Sequence, residues 1–295
     1  MKPCIFTGSA VAIVTPFRAG SIDFNAFDLL VERQLQGGTD AIVVCGTTGE
    51  AATLNFDERM ALIERCVRIV DRRVPIIAGS GTNNTASSVA LSKATQSAGV
   101  DALLTVTPYY NKASQNGLVR HFSAIADAVE IPLILYNVPS RTGVSCTAET
   151  YQKLAEHPNI AGVKEASDNF DLIQDTLNLC PPGFTVWSGN DGSTAAIMAL
   201  GGKGVISVAA NVVPREMHEL TQLCLKNRFL EAGALQLKLH ELIRALFCEV
   251  NPIPVKAAME VLDLCSGELR LPLCPISKHH LSQLTRAMED WHLTV

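Results

Sequence analysis

The sequence predicts an α/β fold: a closed (β/α)8 TIM barrel carrying a three-helix extension at its C-terminal end. Three observations predict it. Short β-rich apolar runs recur along the chain, and the segments between them have helical periodicity, the pattern of a parallel α/β fold. Eight such runs can be read, spaced by roughly 20 to 35 residues, the size of one βα unit. After the eighth run, three helical stretches follow with no strand between them.

The first strand is expected over Ala10 to Val14 and the second over Ala41 to Cys45. The others are Pro75 to Gly79, Ala102 to Thr107, Pro132 to Tyr136, Ile160 to Lys164, Thr185 to Ser188 and Gly204 to Ala209. Between them, Asn55 and Glu58 form a capping-box pattern ahead of Met60, Ile63, Val67 and Val70, which share one helical face. Gly37-Gly38 and Gly99 mark helix ends. The tail helices are expected at about Phe229 to Glu249, Pro254 to Leu264 and Ser277 to His292. The first of them carries Leu235, Leu239, Leu242 and Leu246 as an apolar stripe, to be packed on the barrel or on another subunit. The catalytic barrel is assigned to 1–227 and the helical domain to 228–295, joined into one compact unit without a low-complexity linker.

At 295 residues, 47% hydrophobic and 18% charged, the chain is long enough for a large core. Its net charge of -5 argues against nucleic acid or an anionic membrane as a partner. Nine cysteines without a C-x-x-C pair fit free thiols in a reducing cytosol. The N-terminal run from Met1 to Gly8 has neither an apolar h-region nor an Arg/Ser-rich stretch, and no apolar run reaches membrane-spanning length, so a cytoplasmic location is expected. Among seven histidines the only adjacent pair is His279-His280, read as helix surface; no metal-binding array is present and no metal is expected.

In a barrel of this kind reactive groups belong at the C-terminal ends of the strands. Polar residues collect there: Gly46-Thr47-Thr48-Gly49-Glu50, Thr107-Pro108-Tyr109-Tyr110-Asn111, Tyr136 through Gly143, Lys164, Ser188-Gly189-Asn190-Asp191 and Ile206-Ser207. Lys164 interrupts an apolar run, so its ammonium must be paired, deprotonate, or snorkel to solvent from the strand end. A neutral amine there attacks carbonyls to give a Schiff base. Tyr136 is either a strand aromatic or, facing Lys164 from the next strand, a proton shuttle. The Gly46 to Gly49 segment is either a tight turn whose glycines supply positive φ, or an anion nest near a helix N-terminus suited to a small carboxylate. Arg141 is either a solvated loop cation or a bidentate carboxylate clamp. Gly79-Ser80-Gly81 lacks the third glycine of a dinucleotide fingerprint, since Asn84 stands there.

Gly46-Thr47-Thr48-Gly49-Glu50, Pro108-Tyr109-Tyr110-Asn111, Tyr136-Asn137-Val138-Pro139-x-Arg141-Thr142 and Gly162-Val163-Lys164-Glu165 together resemble the dihydrodipicolinate synthases. These are class I pyruvate-dependent aldolases of the N-acetylneuraminate lyase superfamily. The resemblance covers essentially the whole chain and includes Asn251-Pro252-Ile253-Pro254-Val255-Lys256 in the tail. It implies condensation of pyruvate with aspartate 4-semialdehyde to 4-hydroxy-tetrahydrodipicolinate, the first committed step of diaminopimelate and lysine biosynthesis. By motif match Lys164 would form the pyruvate imine and Tyr136 would transfer protons. Thr47 with Tyr110 would complete a hydroxyl relay, Tyr110 coming from the neighbouring subunit of a homotetramer built from dimers. Arg141 would hold the semialdehyde carboxylate, and Thr47, Thr48, Gly189 and Ile206 would line the pyruvate pocket. The imine itself serves as electron sink, so no cofactor is implied.

Two rival readings share these residues. Another pyruvate-dependent aldolase of the superfamily, such as an N-acetylneuraminate lyase or a sugar-acid aldolase, would keep Lys164 and Tyr136. Such lyases typically carry Ser-Thr in place of Thr47-Thr48 and lack the arginine corresponding to Arg141. A non-catalytic keto-acid-binding barrel is disfavoured by the intact lysine, tyrosine and threonine set. Many family members bind lysine as an effector through a glutamate and histidines, where this chain has Ser87, and Phe56 and Arg59. With only Asn83 and Tyr109 retained from that pocket, weak or absent feedback by lysine is expected.

Overall fold

A computed structural model describes residues 4–291 and 293. Eight parallel strands close into a barrel in sequence order: β1 Gly8–Ala12, β2 Ala41–Val44, β3 Ile76–Gly79, β4 Ala102–Val106, β5 Leu133–Asn137, β6 Ile160–Glu165, β7 Thr185–Ser188 and β8 Gly204–Ser207. Helices follow the strands: α1 Phe24–Gln36, α2 Phe56–Val70, α3 Thr85–Ser97, α4 Gln115–Ala126, α5 Ala148–Ala155, α6 Phe170–Leu179, α7 Thr194–Ala199 and α8 Pro214–Leu225. The (β/α)8 expectation therefore holds. The tail helices are α9 Phe229–Leu246, α10 Ile253–Val261 and α11 Lys278–Glu289, with Ser277 as the N-cap of the last. The expected end of that helix at His292 lies outside the described residues.

Alternation along the strands sorts side chains into two cores. Ala10, Ala12, Ala41, Val43, Ile134, Tyr136, Trp187 and Ile206 fill the barrel interior. Val11, Ile42, Val44, Leu133, Leu135, Ile160 and Val163 face the helices, in one cluster that also takes in Leu239, Leu242, Leu246 and Met288 of the tail. The leucine stripe of α9 therefore packs within the chain, against a core the barrel and tail share, and Leu235 is partly buried at its margin. The capping box forms as expected, with Asn55 accepting from the Glu58 amide.

Strand ends differ from the sequence reading for identifiable reasons. β1 begins earlier, at Gly8, whose amide donates to Lys203 O, and stops short of Val14, whose amide is taken by the Asn211 side chain. β8 ends at Ser207 because Asp191 Oδ2 accepts both the Val208 and Ala209 amides at 3.0 Å, after which 209–211 turn as a 3-10 helix. A two-stranded hairpin, Phe17–Arg18 with Ser21–Ile22, and a one-turn helix at Pro139–Thr142 were not foreseen.

The most consequential feature is a bulge in β6. Leu133 pairs with Ile160, but Ile134 pairs with Gly162, leaving Ala161 as the extra residue. Ile160 and Val163 both face the helices, which a regular strand forbids for positions three apart. The extra residue inverts the alternation, so Gly162 and Lys164 turn inward.

Candidate active site

Lys164 is 5% exposed, which removes the reading of a strand-end lysine snorkelling to water. It stands opposite Tyr136 of β5 and Trp187 of β7 in the strand registers. Its Nζ packs 4.4 Å from the centroid of the Tyr136 ring. Trp187 is fully buried, stacks on Phe6 and donates Nε1–H to Phe6 O at 3.2 Å, closing the barrel interior on that flank. The amine is thus held against the Tyr136 ring.

Next to it in sequence, Glu165 points to the outer side and ties the ends of β5 and β6 together. Its carboxylate accepts from Asn137 Nδ2 at 3.0 and 3.1 Å, from Tyr151 OH at 2.9 Å and from the Ser167 amide at 2.9 Å. Burial pushes the Glu165 pKa up, and these donors oppose the shift. Asp191, buried at the end of β7, likewise has a pKa raised by burial; hydrogen bonds from Ser207 and the Ala209 and Val208 amides, together with the charge on Lys164, act in the opposite direction.

Over the C-terminal ends of β2 to β5 opens a cavity of about 340 Å3. Thr47, Tyr136 and Arg141 line it, with Tyr109, Arg59 and the tail residues Asn251 and Leu273. Lys164 lies behind the Tyr136 ring and not on this wall. Gly189 and Ile206 also lie off it, on the β7 and β8 side; Ile206 is in the interior cluster with Tyr136, and the Gly189 amide donates to Glu165 O at 2.7 Å. Thr48 sits beneath the wall, 2% exposed, its Oγ1 accepting from Asn251 Nδ2 at 3.0 Å. Arg141 is exposed toward the cavity and donates NH2 to Asn251 O at 3.0 Å.

The turn after β2 is built differently from the sequence expectation. The left-handed residues are Cys45, φ +54°, and Glu50, φ +51°, not the two glycines between them. Gly49 sits in a tight space: a Cβ there would lie 3.2 Å from Ile13 O and 3.3 Å from Thr15 Oγ1. Nor does the turn lead directly into a helix N-terminus. A three-residue 3-10 turn at Ala51–Thr53 intervenes, and the N-terminus of α2 is closed by its own capping box.

Tyr110 is 89% exposed, holds a left-handed φ of +73° and is absent from the cavity wall of its own chain. Asn83 is not on the cavity wall; its carbonyl accepts from Asn111 Nδ2 at 2.9 Å. Ser87 and Phe56 are exposed, while Arg59 reaches the cavity and donates to Ala51 O. Residues the sequence reading did not single out are Trp187, the bond partners Asn251 and Lys256, and Asp191. Asn251 and Lys256 had a visible signal in the Asn251 to Lys256 motif, and Asp191 in its place at a strand end.

Among the described residues no His, Cys, Asp and Glu cluster has the arrangement of a metal site, no helix is long and apolar enough to cross a membrane, and the nine cysteines are free.

The sequence model of the Dihydrodipicolinate synthetase family matches residues 5–291. A 4-hydroxy-tetrahydrodipicolinate synthase of Geobacter sulfurreducens is 48% identical over 289 residues, 98% of this chain and 100% of that protein. The crystal structure of dihydrodipicolinate synthase from Aquifex aeolicus superposes with a TM-score of 0.97 at 44% identity, covering 98% of this chain and 99% of that one. The enzyme of Acinetobacter baumannii, solved in complex with pyruvate, superposes with a TM-score of 0.95 at 43% identity, covering 97% of this chain and 99% of the other.

Proposed function

The chain belongs to the dihydrodipicolinate synthetase family, and from that premise we propose that it condenses pyruvate with aspartate 4-semialdehyde to 4-hydroxy-tetrahydrodipicolinate by way of an imine on Lys164. The observation that carries this reading is the inward-turned Lys164 packed on the Tyr136 ring, which lines a cavity together with Thr47 and Arg141.

The Lys164 amine adds to the pyruvate ketone and expels water as the imine forms. The protonated imine withdraws electrons, so a methyl proton leaves and an enamine results. That carbon nucleophile attacks the semialdehyde carbonyl, and the oxygen of the new alkoxide takes a proton. The substrate's own amine then attacks the imine carbon, closes the ring and releases Lys164. Tyr136 OH carries these protons with Thr47 as its hydroxyl partner, a reading supported by both residues lining the same cavity. Arg141 holds the semialdehyde carboxylate, while Thr48, Gly189 and Ile206 bound the pyruvate side. The imine is the electron sink, so the reaction runs without a cofactor.

Tyr110 completes the relay in a neighbouring subunit. Its exposure and its position away from its own cavity support that role, and with it a homotetramer assembled from dimers. The enzyme acts in the cytoplasm, where reduced thiols suit its nine free cysteines.

Incubation with pyruvate and borohydride, followed by peptide mapping, tests the mechanism: the reduced adduct is expected on Lys164. Parallel assays with aspartate 4-semialdehyde and N-acetylneuraminate test the substrate. Absence of the adduct removes the imine, and cleavage of N-acetylneuraminate without semialdehyde turnover replaces the second substrate.

A further inference from the structure

Away from the reacting groups, Glu50 and Lys256 form a salt bridge of 2.8 Å with side chains 1% and 0% exposed. The Lys256 ammonium also donates to Thr15 O at 3.1 Å and to Glu268 O, so all three of its protons have acceptors. The second Glu50 oxygen accepts the Arg270 amide at 3.1 Å. The Phe17 ring lies 4.4 Å from Nζ. Burial draws the Lys256 pKa down, and the Glu50 charge opposes it.

Taking two charges out of water is costly, and well-packed apolar residues generally stabilise such a site at least as well. An ion pair with every donor and acceptor assigned does something apolar packing does not: it admits one geometry. Here the geometry being fixed is that of the threonine turn. The Glu50 amide donates to Thr47 O at 3.0 Å, and Thr15 Oγ1 donates to Gly49 O at 2.7 Å. Earlier in the same tail segment, Asn251 holds Thr48 through its side chain and Arg141 through its carbonyl. One short stretch of tail therefore grips two sides of the cavity.

We propose that Glu50 and Lys256 are positioning residues whose buried pair, with the Asn251 bridge, sets the placement of Thr47, Thr48 and Arg141, so that the tail governs affinity for both carboxylate substrates. This rests on the imine reading above. The test is the double variant E50Q/K256M, which keeps size and the Arg270 contact while removing both charges, beside E50Q alone, which is isosteric and decides the matter if the double variant does not fold.

Trapping by borohydride is measured against pyruvate concentration, and steady-state kinetics against both substrates. The pyruvate concentration giving half-maximal trapping and both KM values are expected to rise about tenfold, the loss of one charge-assisted hydrogen bond, while kcat and trapping at saturation change less than about threefold. Half-saturation within about twofold of the parent in the folded variant overturns the proposal, as does a loss confined to kcat. If the parent protein traps no pyruvate, the imine reading itself has failed, and this inference with it.

Discussion

Replacing Gly162 by alanine tests whether barrel geometry places the reactive amine. Gly162 lies just beyond the β6 bulge and two positions before Lys164, facing Thr185 of β7 in the strand register. A Cβ at this position would lie 2.0 Å from Thr185 O and 2.7 Å from its carbonyl carbon and amide nitrogen. Those are backbone atoms and cannot swing aside, whereas real Cβ contacts hardly fall below 3.0 Å. The two strands must therefore part locally by about 1 Å, enough to stretch hydrogen bonds of about 2.9 Å out of range. Overpacking and one or two weakened ladder bonds together cost about 3 kcal/mol. At about 2 °C per kcal/mol for a chain of this size, Tm falls by about 6 °C. Because Lys164 rides on the displaced strand, imine formation slows by about 100-fold even where the variant is folded. Scanning calorimetry and the rate of borohydride trapping with pyruvate measure the two effects. Gly233→Ala on α9, where nothing lies within 4 Å of the added carbon, is the matched control and is expected to be neutral or to stabilise by up to about 1 kcal/mol. A G162A protein with a Tm within about 2 °C of the parent and trapping within about threefold would refute the argument that strand approach sets the position of Lys164.

Tyr136→Phe removes the hydroxyl and keeps the ring that packs on Lys164, so kcat should fall by about 100-fold or more while the adduct still forms at saturating pyruvate; rapid-quench and trapping assays separate the two. Glu58→Gln, with its oxygen in the place of Oε2, keeps the capping box and one acceptor for Arg270 but removes the charge and the second hydrogen bond; the Arg270 guanidinium hydrogen bond holds the Glu58 pKa below its ordinary 4.5. A depressed folded pKa contributes stability that is present above the unfolded value and lost as pH falls through the folded one, so the variant should be weaker by up to about 1 kcal/mol in urea at pH 7 and equal to the parent once the pH is well below 4.5. Lysine titrated into the semialdehyde assay at millimolar concentration should inhibit weakly or not at all, since Ser87 offers the ligand's amine no carboxylate and Arg59 repels it; strong inhibition in that assay would contradict this.

The strands were legible because apolar runs of this length alternate with helical-period segments, and their polar ends were legible because a parallel barrel gathers those ends on one face. What escaped the sequence is what depends on contacts between distant residues. Nothing local to Glu50 announces that Lys256 and the Arg270 amide will take its two oxygens. The end of β8 was placed too late because Asp191, in the turn after β7, claims the amides that would have continued it. Glycines at 46 and 49 suggested left-handed backbone between them, yet Cys45 and Glu50 carry it, and Gly49 instead sits close to Ile13 and Thr15. In each case a partner far along the chain decides a local conformation.

Lys164 shows the same dependence in its sharpest form. Its position in an apolar run already marked it, but the run alone gives the wrong face. With Ile160 toward the helices, an unbroken strand would send Gly162 and Lys164 outward too, into the cluster that α5 and α6 cover. An ammonium there would meet apolar side chains, away from the Tyr136 ring that lines the cavity. The extra residue at Ala161 reverses the parity, so that Val163 joins the outer core and Lys164 comes to the Tyr136 ring. Glu165 then falls outward as well, where Asn137, Tyr151 and Ser167 satisfy its carboxylate. A single inserted residue thus decides which of two adjacent charged side chains faces inward and which outward, each in the environment that accepts it, and this is why the chemistry can sit on a strand whose other residues are core.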